Sequence, residues 1–197
     1  MKRIIYFIFL IMVYTSAADA QQKTVCAFRW QIKGALPAED GHVKSLGFAG
    51  AINGISNDVL IVAGGANFPN GMPWKGGKKF YSNQIYILQK EGSKFIWNGN
   101  IKETLPEPVA YCGVTSTDEG VVFIGGENGN GLSNRCHLLQ WNTIKNRVDI
   151  KPLPNLPLAL TNVSATNMEN VVYAAGGDEV HNSSNSFFSL DLKDANP

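Results

Sequence analysis

The chain has 197 residues, enough for one domain or two small ones with a buried core. Its 17 basic and 16 acidic residues almost cancel. Without the first 20 residues, which hold Lys2, Arg3 and Asp19, the two counts become equal at 15 each. The sequence has no basic stripe, so we expect no nucleic acid and no anionic membrane surface among its partners.

The amino terminus has the pattern of a secretory signal peptide. Two basic residues precede an apolar run of eleven residues, and the small-residue pattern Ala18-Asp19-Ala20 follows. The run is shorter than the roughly 20 residues that a membrane-spanning helix needs. We therefore predict a signal peptide over residues 1–20 and a mature chain, 21–197, that is periplasmic or secreted and free of the membrane. A retained amino-terminal anchor is the alternative.

The three cysteines, Cys26, Cys112 and Cys136, are too few and too scattered for a disulfide framework. Cys112 and Cys136 lie in apolar runs, which predicts small buried side chains. One disulfide stays an open alternative in an oxidising compartment.

Residues 26–35, CAFRWQIKGA, predict a lone strand ahead of the first repeat. Trp30 stands where Trp97 stands in the last strand of the following unit. The other strands of its sheet must then come from elsewhere.

The next stretch predicts a unit of four short antiparallel strands, A to D, over residues 47–52, 59–63, 84–89 and 94–98. Strand B is a continuous apolar run, as expected for a strand that is covered on both faces. Strands C and D mix polar and apolar residues, which is typical of positions nearer an edge. The pair Gly64-Gly65 follows strand B and gives the backbone freedom at a crowded turn.

This unit occurs three times along the chain, the first copy included. Each copy has a glycine pair after its second strand and then a Ser-Asn step, at Ser82, Ser133 and Ser184, with a spacing of 51 residues. The glycine pairs lie 61 and 51 residues apart, so the first unit carries ten extra residues before its Ser-Asn step. Such a period predicts an all-β fold, a kelch β-propeller, rather than a β-sandwich with an accidental repeat. The predicted blades are 46–98, 110–151 and a partial blade, 159–192.

The predicted strands number twelve, which is about three blades' worth, whereas propellers typically have about 4–8 blades. We favour the first half of a longer protein with a six-bladed ring. The alternative is a homodimer in which two copies close the ring.

Two stretches resemble a known family. GFAGAINGISNDVLIVAGGANFPNGMPWKGGKKFYSNQIYIL, residues 47–88, and EPVAYCGVTSTDEGVVFIGGENG, residues 107–129, resemble the N-acetylneuraminate epimerases, which are sialic acid mutarotases built on kelch propellers. These two blades come first here, behind a signal peptide, and that order is similar to the cyclically permuted branch of the family. Beyond residue 139 the resemblance is only to kelch repeats in general.

The resemblance implies an isomerase of carbohydrate metabolism that interconverts the α and β anomers of N-acetylneuraminate, a small acidic sugar, without a cofactor. Ring opening needs one group to accept the hydroxyl proton and another to protonate the ring oxygen, which contributes about 10²–10⁴ in rate. The family is expected to use a glutamate just after a glycine pair, with an arginine several residues on. In the permuted order that blade is expected beyond residue 197.

Glu127 and Arg135 are weak catalytic candidates within the chain. Glu127 directly follows a glycine pair and Arg135 lies eight residues on, but the spacing is longer than the family's and the blade is a different one. A solvated turn glutamate is the alternative for Glu127.

The ten-residue insertion supplies further candidates, because a loop longer than its siblings often carries function. Asn67, Trp74 and Lys78 are predicted to bind the acidic sugar, which the aromatic and cationic side chains of the insertion would cover together; that set also contains Phe68, Lys75 and Lys79. The alternative is a surface loop that packs Trp74 on the next blade. Tyr111 is predicted either to point towards the central channel and bind substrate or to fill the blade interface.

Other patterns carry less information. His42, His137 and His181 lack metal-ligand spacing, so we predict no metal site. The competing function is a non-catalytic kelch module that binds glycans or a protein partner, because propellers host both kinds of protein.

Overall fold

The computed structural model describes residues 28–39 and 41–194. The predicted signal peptide and Cys26 lie outside these residues. No helix among the described residues is long and apolar enough to cross a membrane. The chain divides into two units, residues 1–32 and residues 33–197, and the strands of the described residues all lie in the second unit.

Three antiparallel sheets follow one another along the chain. The first sheet has the order β1-β2-β5-β6, the second β7-β8-β11-β12 and the third β13-β14-β15. The strands of the first sheet are β1 (Ile52–Ser56), β2 (Val59–Ala63), β5 (Ile85–Glu91) and β6 (Lys94–Trp97). Those of the second are β7 (Gly113–Thr117), β8 (Gly120–Ile124), β11 (Cys136–Asn142) and β12 (Arg147–Leu153). Those of the third are β13 (Ser164–Met168), β14 (Val171–Ala175) and β15 (Phe187–Asp191).

Two short ladders lie in the loops that follow the second strand of the first two sheets. β3 (Ala66–Asn67) pairs with β4 (Phe80–Tyr81), and β9 (Glu127–Asn128) pairs with β10 (Gly131–Leu132). A single-turn 3-10 helix, Pro73–Lys75, lies between β3 and β4. The ten-residue insertion therefore lengthens a hairpin that the second unit has in a shorter form.

Two apolar cores separate the three sheets. Strand β8 is buried along its whole length because its alternate side chains enter different cores. Val121 and Phe123 pack towards the first sheet, and Val122 and Ile124 pack towards the third. Each fully buried aliphatic side chain contributes about 1.5–3 kcal/mol, so this apolar strand stabilises both interfaces.

The glycine pairs of the first two sheets form hydrogen bonds with the segment that leads into the next sheet. The first glycine of each pair has a φ of 62°, 64° or 65°, and the second has a φ of 92°, 99° or 97°. The N–H of Gly65 donates to Val109 O, and that of Gly126 donates to Leu160 O, both at 2.8 Å. A Cβ atom on Gly125 would lie 2.3 Å from Leu160 O. Glycine recurs here because the turn needs both a positive φ and a close approach of two backbones.

The predicted strand boundaries are partly wrong. Strand B coincides with β2, and strands C and D lie within two residues of β5 and β6. Strand A, predicted over residues 47–52, is instead β1, Ile52–Ser56. Gly47 and Gly50 have φ angles of 76° and 61°, which interrupt the extended backbone, so the inner strand begins only after them.

The lone strand predicted over residues 26–35 is not formed in the described part, residues 28–35. Within the first unit, Phe28 and Trp30 are fully exposed. A strand requires a hydrogen-bonded partner, and the partners of this segment were expected outside the chain. Its pairing stays a prediction.

Candidate functional site

The loops that enter each sheet meet the loops that follow its second strand. Isolated bridges join Ala49 to Ala66, Ala110 to Glu127 and Thr161 to Asp178. These three bridges occupy the same position in the three units. Side chains from both sets of loops therefore gather at one end of the sheets, where the sequence placed its candidate residues.

At this end, four side chains form a polar group that we call the Lys79 cluster: Lys79, Tyr81, Tyr111 and Glu127. The ammonium Nζ of Lys79 lies 3.1 Å from Glu127 Oε1, and the Tyr81 hydroxyl donates to the same oxygen at 2.7 Å. Lys79 Nζ lies 5.5 Å from the ring centroid of Tyr81 and 5.1 Å from that of Tyr111. A carboxylate, a cation and a phenol thus converge from two neighbouring sheets.

The local folding of the insertion brings these residues together. Tyr81 lies on β4, and Lys79 is the residue immediately before that strand. Glu127 begins β9, directly after the glycine pair of the second sheet. Lys79 and Glu127 are 48 residues apart in sequence. The position of Glu127 is taken by Ala66 in the first unit and by Asp178 in the third. The carboxylate of the second unit therefore meets the return arm of the first unit's longer hairpin.

Tyr111 occupies a strained backbone position. It has a φ of 59°, and the equivalent Gly50 and Asn162 have φ of 61° and 55°. The Tyr111 N–H donates to Gly50 O and the Asn162 N–H donates to Tyr111 O, both at 2.8 Å, so the three residues are linked from sheet to sheet. Glycine and asparagine tolerate this conformation, whereas a tyrosine adopts it at a cost of about 1–3 kcal/mol. Such strain is concentrated at functional sites.

The ring of Tyr111 uses the space that Gly50 leaves free. A Cβ atom on Gly50 would lie 2.4 Å from Cδ1 of Tyr111. Tyr111 therefore packs flat against the connection into the first sheet and presents its ring to Lys79.

The cluster holds its protons firmly. Partial burial lowers the pKa of Lys79, but the hydrogen bond and the charge of Glu127 outweigh this effect and raise it overall. Burial and the adjacent Glu127 both raise the pKa of Tyr81. At neutral pH Lys79 is a cation and Tyr81 is an intact phenol.

A cavity of about 310 Å³ opens beside the cluster. It is lined by Lys79, Phe80, Tyr81, Glu107, Pro108, Asn128, Gly129 and Asn130. A second ion pair borders it, with Arg135 Nη1 3.4 Å from Glu107 Oε2. Aromatic rings, amides and charged groups around a cavity of this size are typical of a small polar ligand such as a sugar.

The structure brings together only some of the residues that the sequence nominated. Glu127 and Tyr111 belong to the Lys79 cluster, but Arg135 pairs with Glu107 rather than with Glu127. Lys79 was expected only as one of the cations of the insertion, and Tyr81, on the strand that closes the insertion, was not chosen. The sequence feature that points to them is the extra length of the hairpin, because its second arm then lies against the next sheet.

The other insertion residues lie away from the cavity. Asn67 uses its Nδ2 to donate to Gly47 O at 3.1 Å, which anchors β3. Trp74 is 75% exposed on the 3-10 helix, so it does not pack on the next sheet. Lys78 is exposed. None of the three lines the cavity, and their role in binding substrate stays a prediction.

Within residues 28–39 and 41–194, the cysteines and histidines form no second site. Ile124 on β8 pairs with both Gly113 and Cys136, so β8 lies between Cys136 and the strand that follows Cys112. Cys112 and Cys136 are both free thiols, and burial raises the pKa of Cys112 to about 12. No group of three or more metal-ligating side chains occurs among the described residues.

These sheets and their repeated glycine turns are the blades of a kelch β-propeller. A solved structure titled "Structure of YjhT" superposes with a TM-score of 0.56 and 18% sequence identity, and the match covers 77% of this chain and 45% of that one. A family model described as N-acetylneuraminate epimerase matches residues 13–148. The chain belongs to the N-acetylneuraminate epimerase family.

Curated relatives carry the same family name. The chain is 37% identical to the N-acetylneuraminate epimerase of Vibrio cholerae over 57% of its own length and 30% of that protein. It is 34% identical to that of Vibrio vulnificus, over 61% of this chain and 32% of the relative. It is 36% identical to that of Yersinia enterocolitica, over 60% and 31%. The matched part therefore spans about a third of the length of these relatives.

Proposed function

We propose that this chain is the amino-terminal part of a sialic acid mutarotase that interconverts the α and β anomers of N-acetylneuraminate. Membership of the N-acetylneuraminate epimerase family supports this assignment. The observation that carries it is the Glu127 carboxylate, held by Lys79 and Tyr81 beside a cavity that accommodates one sugar ring.

The geometry of Glu127 suits a proton acceptor. Lys79 and Tyr81 both donate to Oε1, and no group among the described residues donates to Oε2. In the proposed reaction Oε2 accepts the proton of the anomeric hydroxyl while the bond from the anomeric carbon to the ring oxygen breaks. A donor protonates the ring oxygen, and the Tyr81 hydroxyl, which borders the cavity and carries its proton at neutral pH, is the candidate for that role. Closure from the other face returns both protons and gives the second anomer.

We also propose that the rest of the ring lies beyond residue 197, because the matched part covers about a third of the relatives. The family's Glu–Arg pair, which the sequence predicts in that part, is the alternative catalytic pair, and Glu127→Gln would then leave the acceleration unchanged. Two copies that close a six-bladed ring are the alternative arrangement. Residues 1–20 are proposed as a signal peptide, which places the reaction outside the cytoplasm.

The test is proton NMR of anomer equilibration after a sialidase releases α-N-acetylneuraminate. The protein from the complete reading frame is expected to accelerate equilibration above the spontaneous rate, and Glu127→Gln is expected to lower that acceleration by at least about tenfold. A folded wild-type protein that gives no acceleration would refute the mutarotase and leave the non-catalytic binding module. Acceleration that survives Glu127→Gln would remove Glu127 from the mechanism.

A further inference from the structure

Both positive charges at the cavity are already neutralised by carboxylates. Lys79 Nζ lies 3.1 Å from Glu127, and Arg135 Nη1 lies 3.4 Å from Glu107. The lining itself contains one cation, Lys79, and one anion, Glu107. The formal charge of the two pairs sums to zero, so the cavity offers no uncompensated cation among the described residues to a carboxylate ligand.

Lys79 would also lose favourable contacts if it left Glu127 for the carboxylate of a ligand. The rings of Tyr81 and Tyr111 flank its ammonium, and the Glu127 oxygen completes its surroundings. A ligand carboxylate that took over Lys79 would leave Glu127 partly buried without its cation and would place two anions side by side.

Neutral polar groups, by contrast, find unused partners here. Glu127 is not part of the lining but lies between two lining residues, Lys79 and Tyr81, and its Oε2 accepts from no described group, which leaves it for a ligand hydroxyl at the border of the cavity. The Asn128 Oδ1 accepts from the backbone N–H of Asn130 at 2.8 Å, which fixes the amide and leaves its Nδ2 to donate. The ring of Phe80 is 54% exposed and offers an apolar face to the C–H groups of a sugar.

We propose that this cavity binds the uncharged, hydroxyl- and acetamide-bearing part of a sugar and excludes its carboxylate. The proposal deepens the proposed function and takes from it only that the ligand is a sugar. In N-acetylneuraminate the carboxylate and the anomeric hydroxyl share one carbon, so in this arrangement the anomeric carbon lies at the border of the cavity, beside Glu127. The carboxylate then points out of the cavity, towards a cation that another part of the protein supplies. This differs from the expectation that the lysines of the insertion bind the carboxylate of the acidic sugar.

The test compares one sugar with and without its charge. The chain is titrated with the methyl α-glycoside of N-acetylneuraminate and with the methyl ester of that glycoside, which lacks the negative charge and whose locked anomeric centre prevents turnover. We expect the two dissociation constants to agree within about twofold, and their ratio to stay constant between about 50 and 500 mM NaCl, because no ion pair forms. Acid binding tighter than ester binding by about fivefold or more, or no saturable binding of either probe, would overturn the proposal.

Three variants test which residues determine the ratio of the acid and ester affinities. Glu127→Gln releases Lys79 from its partner, so the acid is expected to gain at least about fivefold over the ester. Glu119→Gln is the matched control, because it removes the same charge from the exposed turn between β7 and β8. Asn128→Ala is expected to weaken both probes equally. An unchanged ratio in Glu127→Gln, or unchanged affinities in Asn128→Ala, would contradict the proposal.

These outcomes are separate from those of the mutarotase test. Equal binding of acid and ester without any acceleration of anomer exchange would keep this inference and refute the enzyme. Acceleration together with strong preference for the acid would keep the enzyme and refute the inference.

Discussion

Lys79 and Tyr81 each keep a proton more firmly in the folded protein than in the unfolded chain. The pKa of Lys79 is raised above 10.5 and that of Tyr81 above 10.0, in both cases with Glu127 among the causes. A group whose pKa rises on folding stabilises the protein fully below its unfolded pKa. That contribution is lost as the pH rises through the folded pKa. Both groups therefore act in the same direction, above about pH 10.

Because both pKa values are raised on folding, we predict how the free energy of unfolding changes at alkaline pH. Urea unfolding between about pH 7 and 11.5 is expected to show a steeper loss of stability above pH 10 in the wild type than in the double variant Lys79→Met, Tyr81→Phe. The difference is small because both side chains are partly exposed and water screens their charges. Lys90→Met, at an exposed lysine on β5, is the control and should leave the loss of stability above pH 10 unchanged. A double variant as steep as the wild type would show that Glu127 does not hold these protons.

The insertion between β3 and β4 determines where Lys79 lies. Deletion of residues 68–77 leaves six residues between Gly65 and Ser82, the same number as in the other two units. The deleted residues include none that is fully buried, and shortening a loop changes its closure entropy little, so the free energy of unfolding is expected to change by no more than about 1 kcal/mol. Lys78 and Lys79 would then form the turn of a two-residue hairpin, and Lys79 would leave Glu127.

Two measurements separate these effects. Urea unfolding should show a nearly unchanged midpoint, and the sugar titration should show weaker binding of the acidic probe than of its ester, because Glu127 has lost its cation, or a loss of binding of both. A second deletion variant that carries Asn-Gly at positions 78 and 79 provides a favourable hairpin turn and controls for turn strain. A deletion protein that binds both probes as the wild type does would show that the insertion has no part in the site.

At the same scale, the sequence identified elements by pattern and misjudged them where backbone conformation intervened. Strand β2 was located correctly because VLIVA is an uninterrupted apolar run between turn residues. Strand β1 was placed five residues early because Gly47 and Gly50 stand in an apolar stretch, and only their positive φ shows that they precede the strand. The contact of Lys79 with Glu127 was missed for a different reason. It joins two sheets, and a 51-residue period does not specify which loops touch across them.

At the scale of the whole molecule, the third sheet is the weakest part. Among the described residues β15 pairs only with β14, and its side chains are at best half-buried. In the second sheet the fourth strand, β12, contributes Val148, which is 2% exposed, to the core shared with the first sheet. The corresponding place between the second and third sheets is a cavity of about 400 Å³, lined in part by Phe188 and Leu190 of β15.

Hydrogen exchange measures this difference directly. Amides of β8, which lie between two paired strands and two cores, are expected to exchange slowest, and amides of β15 that point away from β14 are expected to exchange orders of magnitude faster. The contrast should be independent of protein concentration if the edge of β15 is open. Protection at β15 that rises with concentration would mean that a second copy covers the edge and would favour the closed two-copy ring. Protection as strong as that of β8 at every concentration would contradict the open third sheet.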